Sequence, residues 1–173
     1  MSKIPMHAAS APAFTRILGN LSAMLDKADA HAKAKKFDIA VLLQARLAPD
    51  MFPLLRQAQI AADFAKNAAG RLAGQTPPAY ADDETTLAQV QARLARTIDY
   101  VHSLPASAFE GAEARPVTFQ IGPDQKLTLP GADYLFAYAL PNFYFHVTAA
   151  YAILRHNGVE LSKRDFLGAP PRS

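Results

Sequence analysis

Residues 141–158 constrain the fold of this chain more than any other stretch. A proline suits the first turn of a helix, where its missing N–H costs nothing, and a glycine suits the position just past a helix end. Pro141 and Gly158 therefore predict one helix of ordinary length between them. Aromatic and aliphatic side chains cover most of its circumference. A helix that is apolar on most sides is buried among others, so this segment predicts a helical bundle packed around it.

His146 falls on the inner face of this predicted helix, with Asn142 one turn before it and Tyr144 roughly opposite. Two interpretations of His146 stay open. It is either a buried histidine whose ring is satisfied by a carbonyl or carboxylate, or a metal ligand or proton-transfer group in a cavity of the bundle. His156 lies too near the helix end to share that site, and a cation there would favour the helix dipole.

Three further apolar stripes at helical spacing predict helices over about 12–35, 53–72 and 82–104. Ser10 is placed to cap the first, and the acidic residues 82–84 to lie at the positive end of the third. Polar residues of the second helix predict a solvated face: Arg56, Gln59, Asp63, Lys66 and Asn67. Half of all residues are hydrophobic and alanine dominates them, which favours helix over sheet.

The segment before the last long helix has a different pattern. Residues 116–121 and 126–129 alternate as strands do, and a turn around Gly122 separates them, which predicts a β-hairpin. Because an isolated hairpin is only marginally stable, we expect it to pack on the helical body. Residues 131–140 predict a short helix or turn. Residues 159–173 predict an extended tail, with Phe166 packed down and Pro170 and Pro171 frayed.

Composition excludes several classes of function. A chain of 173 residues predicts a single domain over 1–173, long enough for a sizeable core. The net charge of +3 is mild and dispersed, which argues against a nucleic-acid partner. The absence of cysteine excludes disulfides, thiolate metal sites and cysteine nucleophiles. Without a long apolar run we expect no signal peptide, no membrane partner and a cytoplasmic location.

Four segments resemble an uncharacterised bacterial family: residues 45–54, 62–66, 141–148 and 153–159. That family is a domain of unknown function in the DinB/YfiT-like superfamily, and the resemblance covers nearly the whole chain. It implies a mainly all-α fold, an up-down-down-up four-helix bundle with a small β-hairpin before the last long helix. The resemblance also implies a protein that is often a homodimer, and it implies no settled activity.

Elsewhere in that superfamily, a histidine of the second helix and a His-x-x-x-His pair on the last one bind a divalent metal, and some members are thiol-dependent transferases or isomerases. In this chain the second helix has no histidine, and the last carries Asn142 and His146 at that spacing. Asp50 is the nearest candidate for the missing ligand. The three could hold zinc or nickel weakly, but Asn is a poor zinc ligand, so we expect no tightly bound metal.

Two functional hypotheses follow. In the first, the second and last helices start at the same end of the bundle, and Asp50, Asn142 and His146 converge on a small-molecule ligand or substrate. His146 would be the general base or sole nitrogen ligand in a transferase-like reaction. Arg46 would pair with Asp50, and Tyr144 would line the pocket. In the second, the chain is a non-enzymatic homodimeric binding or stress-related module, and the polar cluster only fixes the bundle's register.

Overall fold

Four long helices dominate the computed structural model, which describes residues 4–169. In chain order the elements are α1 (Met6–Lys35), α2 (Ala40–Gln44), α3 (Leu54–Leu72), α4 (Leu87–Ser103), a 3-10 turn (Ala106–Phe109), β1 (Pro116–Gln120), β2 (Lys126–Pro130), α5 (Gly131–Asp133), a π-helical turn (Tyr134–Ala139), α6 (Leu140–His156) and α7 (Lys163–Leu167). The predicted bundle of four long helices, with a hairpin before the last, is confirmed. No helix of the described chain combines the length and apolarity that crossing a membrane requires.

Helix α3 packs against the three other long helices, α1, α4 and α6, and α1 likewise packs against α3, α4 and α6. Its buried face is largely alanine, at Ala58, Ala61, Ala62, Ala65, Ala68 and Ala69. Short side chains let neighbouring helix axes approach closely, since the distance between packed helices depends on the residues at the contact. The last long helix was predicted at the centre, but α6 packs mainly on α1 and α3, and these two helices are the ones that pack against all the others.

Helix α1 begins at Met6, earlier than the start predicted near Pro12. Ser10 therefore does not cap the helix. Its buried hydroxyl lies inside the first turns and donates to the carbonyl of Met6 at 2.7 Å. Pro12 lies within the helix at an exposed position. The proline was a misleading start signal, because the buried side chains of Met6 and Ala11 extend the apolar face back past it.

The last long helix also starts earlier than predicted, because α5, the π-helical turn and α6 follow one another without a break. Pro141 has no N–H for the carbonyl one turn before it, and its ring crowds that carbonyl. The wider π-helical turn lies directly before this interruption. The side-chain amide of Asn142 donates to the Tyr138 carbonyl at 2.8 Å. The predicted end is confirmed at Gly158, which has a φ of +85°.

The β-hairpin is confirmed, with β1 antiparallel to β2 and Gln120 opposite Lys126. Its inner face packs on the π-helical turn, where the Phe119 ring lies 4.9 Å from that of Tyr134 and 4.4 Å from that of Tyr138. Gly131, directly after β2, lies so close to the loop before β1 that a Cβ there would be 1.9 Å from the carbonyl oxygen of Ala112. Only glycine fits this close approach between the end of the hairpin and that loop.

The segment after α6 is not an extended tail, because residues Lys163–Leu167 form α7 against α1. Ser162 and Asp165 form a capping box at its start, and Lys27 of α1 lies 2.5 Å from Asp165. Phe166 packs edge-on against Tyr151, so its predicted packing is confirmed. The predicted fraying at residues 170–171 lies outside the described residues.

Candidate functional site

His146 lies half-buried on α6 at the seam with α3. The Phe64 ring of α3 stacks on it at 5.8 Å and 18°, and Phe145 meets it edge-on at 5.3 Å. Burial disfavours the charged imidazolium and lowers the pKa of His146 to about 4, and the positive charge of Arg56 adds to the effect. The imidazole is therefore neutral at neutral pH.

Gln57 of α3 determines which nitrogen of His146 carries the proton. The Gln57 Nε2 donates to the backbone carbonyl of Phe52 at 3.1 Å, which turns the amide oxygen toward α6. This oxygen lies 2.7 Å from His146 Nδ1. An amide oxygen only accepts, so Nδ1 carries the proton and Nε2 keeps a free lone pair. Within residues 4–169, Nε2 makes no hydrogen bond.

Helical periodicity predicted that His146 lies on the inner face, whereas its partner Gln57 was not predicted. A carbonyl or carboxylate was the expected partner, and the side-chain carbonyl of the Gln57 amide takes that role. Gln57 is 1% exposed although it is polar, and it lies one residue before the buried Ala58. A glutamine inside an apolar stripe is a usable signal, since buried polar side chains are nearly always hydrogen-bonded.

The other predicted site residues do not converge on His146. The Asn142 amide is occupied by the backbone one turn earlier, as described above. Asp50 and Arg46 are both exposed in the segment before α3, and Arg46 donates to the carbonyl of Met51 at 2.5 Å. In the part of the chain that the structure describes, no hydrogen bond or ion pair joins Asp50 to Arg46, Asn142 or His146.

The direction of the helices explains this separation. Gln57, near the start of α3, contacts His146, whereas Arg71, near its end, donates to the Tyr134 hydroxyl at 3.0 Å. Later residues of α3 thus meet earlier residues of the run that leads into α6, and the two helices are antiparallel. The expectation that both helices start at the same end of the bundle is wrong. Asp50 consequently lies beyond His146 rather than beside Asn142.

The residues around His146 do not fit the divalent metal of the wider superfamily. Residues 4–169 contain no group of three or more His, Cys, Asp or Glu side chains placed to hold a metal ion. At His146, Nδ1 is committed to Gln57, which leaves one imidazole nitrogen. Protein zinc sites use three or four protein ligands, so this donor set is too small.

Tyr144, the remaining predicted site residue, lines a shallow groove of about 340 Å³ on the outer side of α6. The lining is almost wholly apolar and joins α6 to the segment before α3 through Leu47, Met51, Tyr144, Phe145, Thr148, Ala149 and Ala152. Phe145 touches the edge of the His146 ring, and Ala149 lies one helical turn beyond it. His146 itself does not line the groove, and Phe145 is the lining residue whose ring meets that of the histidine.

A second polar cluster surrounds Arg93 of α4 and was not predicted. The guanidinium is fully buried and lies 2.9 Å from Asp63, 3.0 Å from Asp82 and 3.0 Å from Glu84. Burial alone would lower the pKa of Arg93, but the three carboxylates more than offset this and raise it. Arg93 is thus permanently charged, and carboxylates on α3 and in the segment before α4 balance its charge.

This cluster corrects the prediction of a solvated polar face on α3. Gln59 and Lys66 are 2% and 4% exposed. The Gln59 amide donates to Glu84 at 2.8 Å, and the Lys66 ammonium lies 3.0 Å from Asp63 as an ion pair without hydrogen-bond geometry. The acidic residues before α4 do not occupy its first turn either. Thr86 caps that helix, and two of the three acids, Asp82 and Glu84, bind Arg93.

Comparison with known proteins agrees with this architecture. Residues 6–167 match the family described as Domain of unknown function (DUF1993). The crystal structure of a DinB family member protein from Shewanella denitrificans resembles this chain with a TM-score of 0.89 at 43% sequence identity, covering 97% of this chain and 94% of that one. No curated protein matches the chain. The predicted resemblance and fold class are therefore confirmed, and neither match names a reaction.

Proposed function

The chain belongs to the DUF1993 family of domains of unknown function, and we propose that it is a DinB-like bundle that binds a small organic molecule beside His146 without a metal. The observation that carries this proposal is the free Nε2 lone pair of a neutral imidazole, whose Nδ1 is held by Gln57 and whose ring meets Phe145, a lining residue of the apolar groove. An acceptor nitrogen beside apolar surface selects an uncharged, mainly apolar molecule that carries one O–H or N–H donor.

The same nitrogen is poorly suited to proton transfer. A general base works best when its pKa lies near the working pH, and the pKa of His146 is about 4. We therefore assign His146 to ligand recognition, with Tyr144 and Phe145 supplying apolar contact. The catalytic and ligand roles first given to Asp50, Asn142 and Arg46 form no part of this proposal.

A fragment screen by ligand-detected NMR tests the proposal. We expect hits among neutral phenols and alcohols, and weaker binding of carboxylates and amines with the same ring. His146→Phe keeps an aromatic ring but removes the acceptor, so affinity for the hits should fall about threefold to tenfold, the worth of one hydrogen bond. Ala152→Trp, which fills the groove, should abolish binding.

Circular dichroism spectra of both variants provide the control for folding. Hits that bind both variants as tightly as the parent protein would contradict the assignment of this site. Elemental analysis of the same protein, purified without a histidine tag, tests the metal-free part. Zinc or nickel at near-stoichiometric level, lost in His146→Ala, would overturn it.

A second candidate function is a non-enzymatic homodimeric module. It is favoured by exposed apolar side chains around the groove, since Leu47, Phe52 and Phe145 are 39%, 52% and 57% exposed. Contiguous exposed apolar surface often marks an interaction site. A second copy seated on this face would cover the groove, so dimer formation and ligand binding would compete for the same surface.

A further inference from the structure

A cavity of about 780 Å³ lies between the start of α1, the 3-10 turn and the π-helical turn. None of its lining residues belongs to the groove beside His146. Its volume is within the range of ligand pockets, which are mostly apolar with a few polar groups that orient the bound molecule. The groove described above has less than half this volume.

Small residues on three different elements create this space. Ala9 comes from α1, Ala106 from the 3-10 turn and Ala132 from α5, while the buried side chains of Met6 and Phe109 form apolar wall. Phe136 completes the lining from the π-helical turn and is 55% exposed. Turns of this kind occur frequently at functional sites. The cavity thus has an apolar wall and an aromatic ring at its opening.

The charged side chains in the described lining, Glu110 and Glu113, are both carboxylates. The Glu110 side chain is exposed and makes no hydrogen bond or ion pair within residues 4–169, and the nearby guanidinium of Arg115 is engaged by the backbone carbonyls of Leu72, Ala108 and Glu110. We propose that this cavity binds a cationic amphiphile, with its apolar chain against Met6, Phe109 and Phe136 and its ammonium group at Glu110.

Isothermal titration calorimetry with three probes of one chain length tests the proposal at pH 7: decylammonium and decanoate below their micelle concentrations, and decanol below its solubility limit. Decylammonium should bind roughly threefold more tightly than decanol, and decanoate roughly threefold more weakly, because each difference has the size of one exposed ion pair. Decanoate binding as tightly as decylammonium would overturn the proposal, and so would an absence of heat with all three probes.

Variants locate the binding. Glu110→Gln should bring decylammonium to the affinity of decanol and leave decanol unchanged. Ala106→Trp, at an exposed position of the lining, should abolish binding of decylammonium, and Phe136→Ala should weaken it several-fold. Ala152→Trp, the same change in the groove beside α6, is the matched control and should have no effect.

Two results from these variants would overturn the site. One is an unchanged preference for decylammonium in Glu110→Gln. The other is unchanged binding in both Ala106→Trp and Phe136→Ala. Should the tryptophan variant fail to fold, Phe136→Ala decides the question, since removing a half-exposed ring leaves the core intact.

Discussion

A backbone carbonyl that lies two hydrogen bonds away determines which ring nitrogen of His146 carries the proton. The Phe52 carbonyl orients the Gln57 amide, and the amide oxygen in turn orients the imidazole. The Phe52 carbonyl can only accept a hydrogen bond, so the Gln57 amide must present its N–H to Phe52 and its oxygen to His146. The backbone directly before α3 therefore helps to keep Nε2 of His146 unprotonated.

Gln57→Glu tests this arrangement at the scale of one residue. A carboxylate in place of the amide oxygen favours the imidazolium, so we expect the pKa of His146 to rise from about 4 toward or above its ordinary value of 6.5. Titration followed by ¹⁵N NMR of the imidazole measures the change. In the parent protein, the His146 ring should be neutral at pH 6, with the proton on Nδ1. An imidazolium at that pH, or a proton on Nε2, would contradict the geometry.

The same shift predicts how stability depends on pH. The pKa of His146 is lower in the folded than in the unfolded chain, so the unfolded state binds the additional proton. Stability is therefore lost as the pH falls from about 6.5 to about 4. In Gln57→Glu this loss should shrink, because folded and unfolded values approach each other, and urea unfolding at several pH values provides the check.

At the scale of elements, Arg93 ties the connection between α3 and α4 to the bundle. The connection, residues 73–86, has no helix or strand of its own. Arg93 binds Asp82 and Glu84 from this segment, the carbonyl of Ala81 at 2.9 Å, and Asp63 on α3. A single buried guanidinium thus joins two helices and the loop between them.

Arg93→Met should destabilise the protein by about 3–5 kcal/mol, because removing one partner of a buried ion cluster leaves the others uncompensated. Urea unfolding measures this loss. Arg96→Met is the matched control, since the exposed Arg96 stacks on the Tyr80 ring at 3.9 Å and its loss should cost under about 1 kcal/mol. If Arg93→Met lowered the free energy of unfolding by less than about 1 kcal/mol, the three carboxylates would not need Arg93 to balance their charge.

Apolar periodicity predicted the long helices because it is a local property of each one. It did not predict that Arg93 lies inside, although this residue falls between Val90 and Leu94 on the buried stripe. Its partner Asp63 is 30 positions away on another helix. For the same reason His146 was placed on the inner face while Gln57 was missed. Both polar clusters depend on how helices run past each other, which periodicity does not determine.

At the scale of the whole molecule, the groove beside His146 is too small to be an interface by itself. A stable protein–protein contact buries about 800 Å² on each partner. The surrounding surface would have to contribute, and Phe52 and Leu47 provide exposed apolar area next to the groove. A homodimer through this face would therefore extend from α6 across the segment before α3.

Sedimentation equilibrium distinguishes the two candidate functions. If this face joins two copies, Leu47→Asp should convert a dimer into a monomer, because a charge buried without a partner is costly. Val41→Asp is the control, since Val41 is 60% exposed and does not line the groove. A fragment that binds beside His146 should also dissociate such a dimer. A chain that is monomeric up to about millimolar concentration, where even weak association is visible, would remove the homodimeric candidate and leave ligand binding.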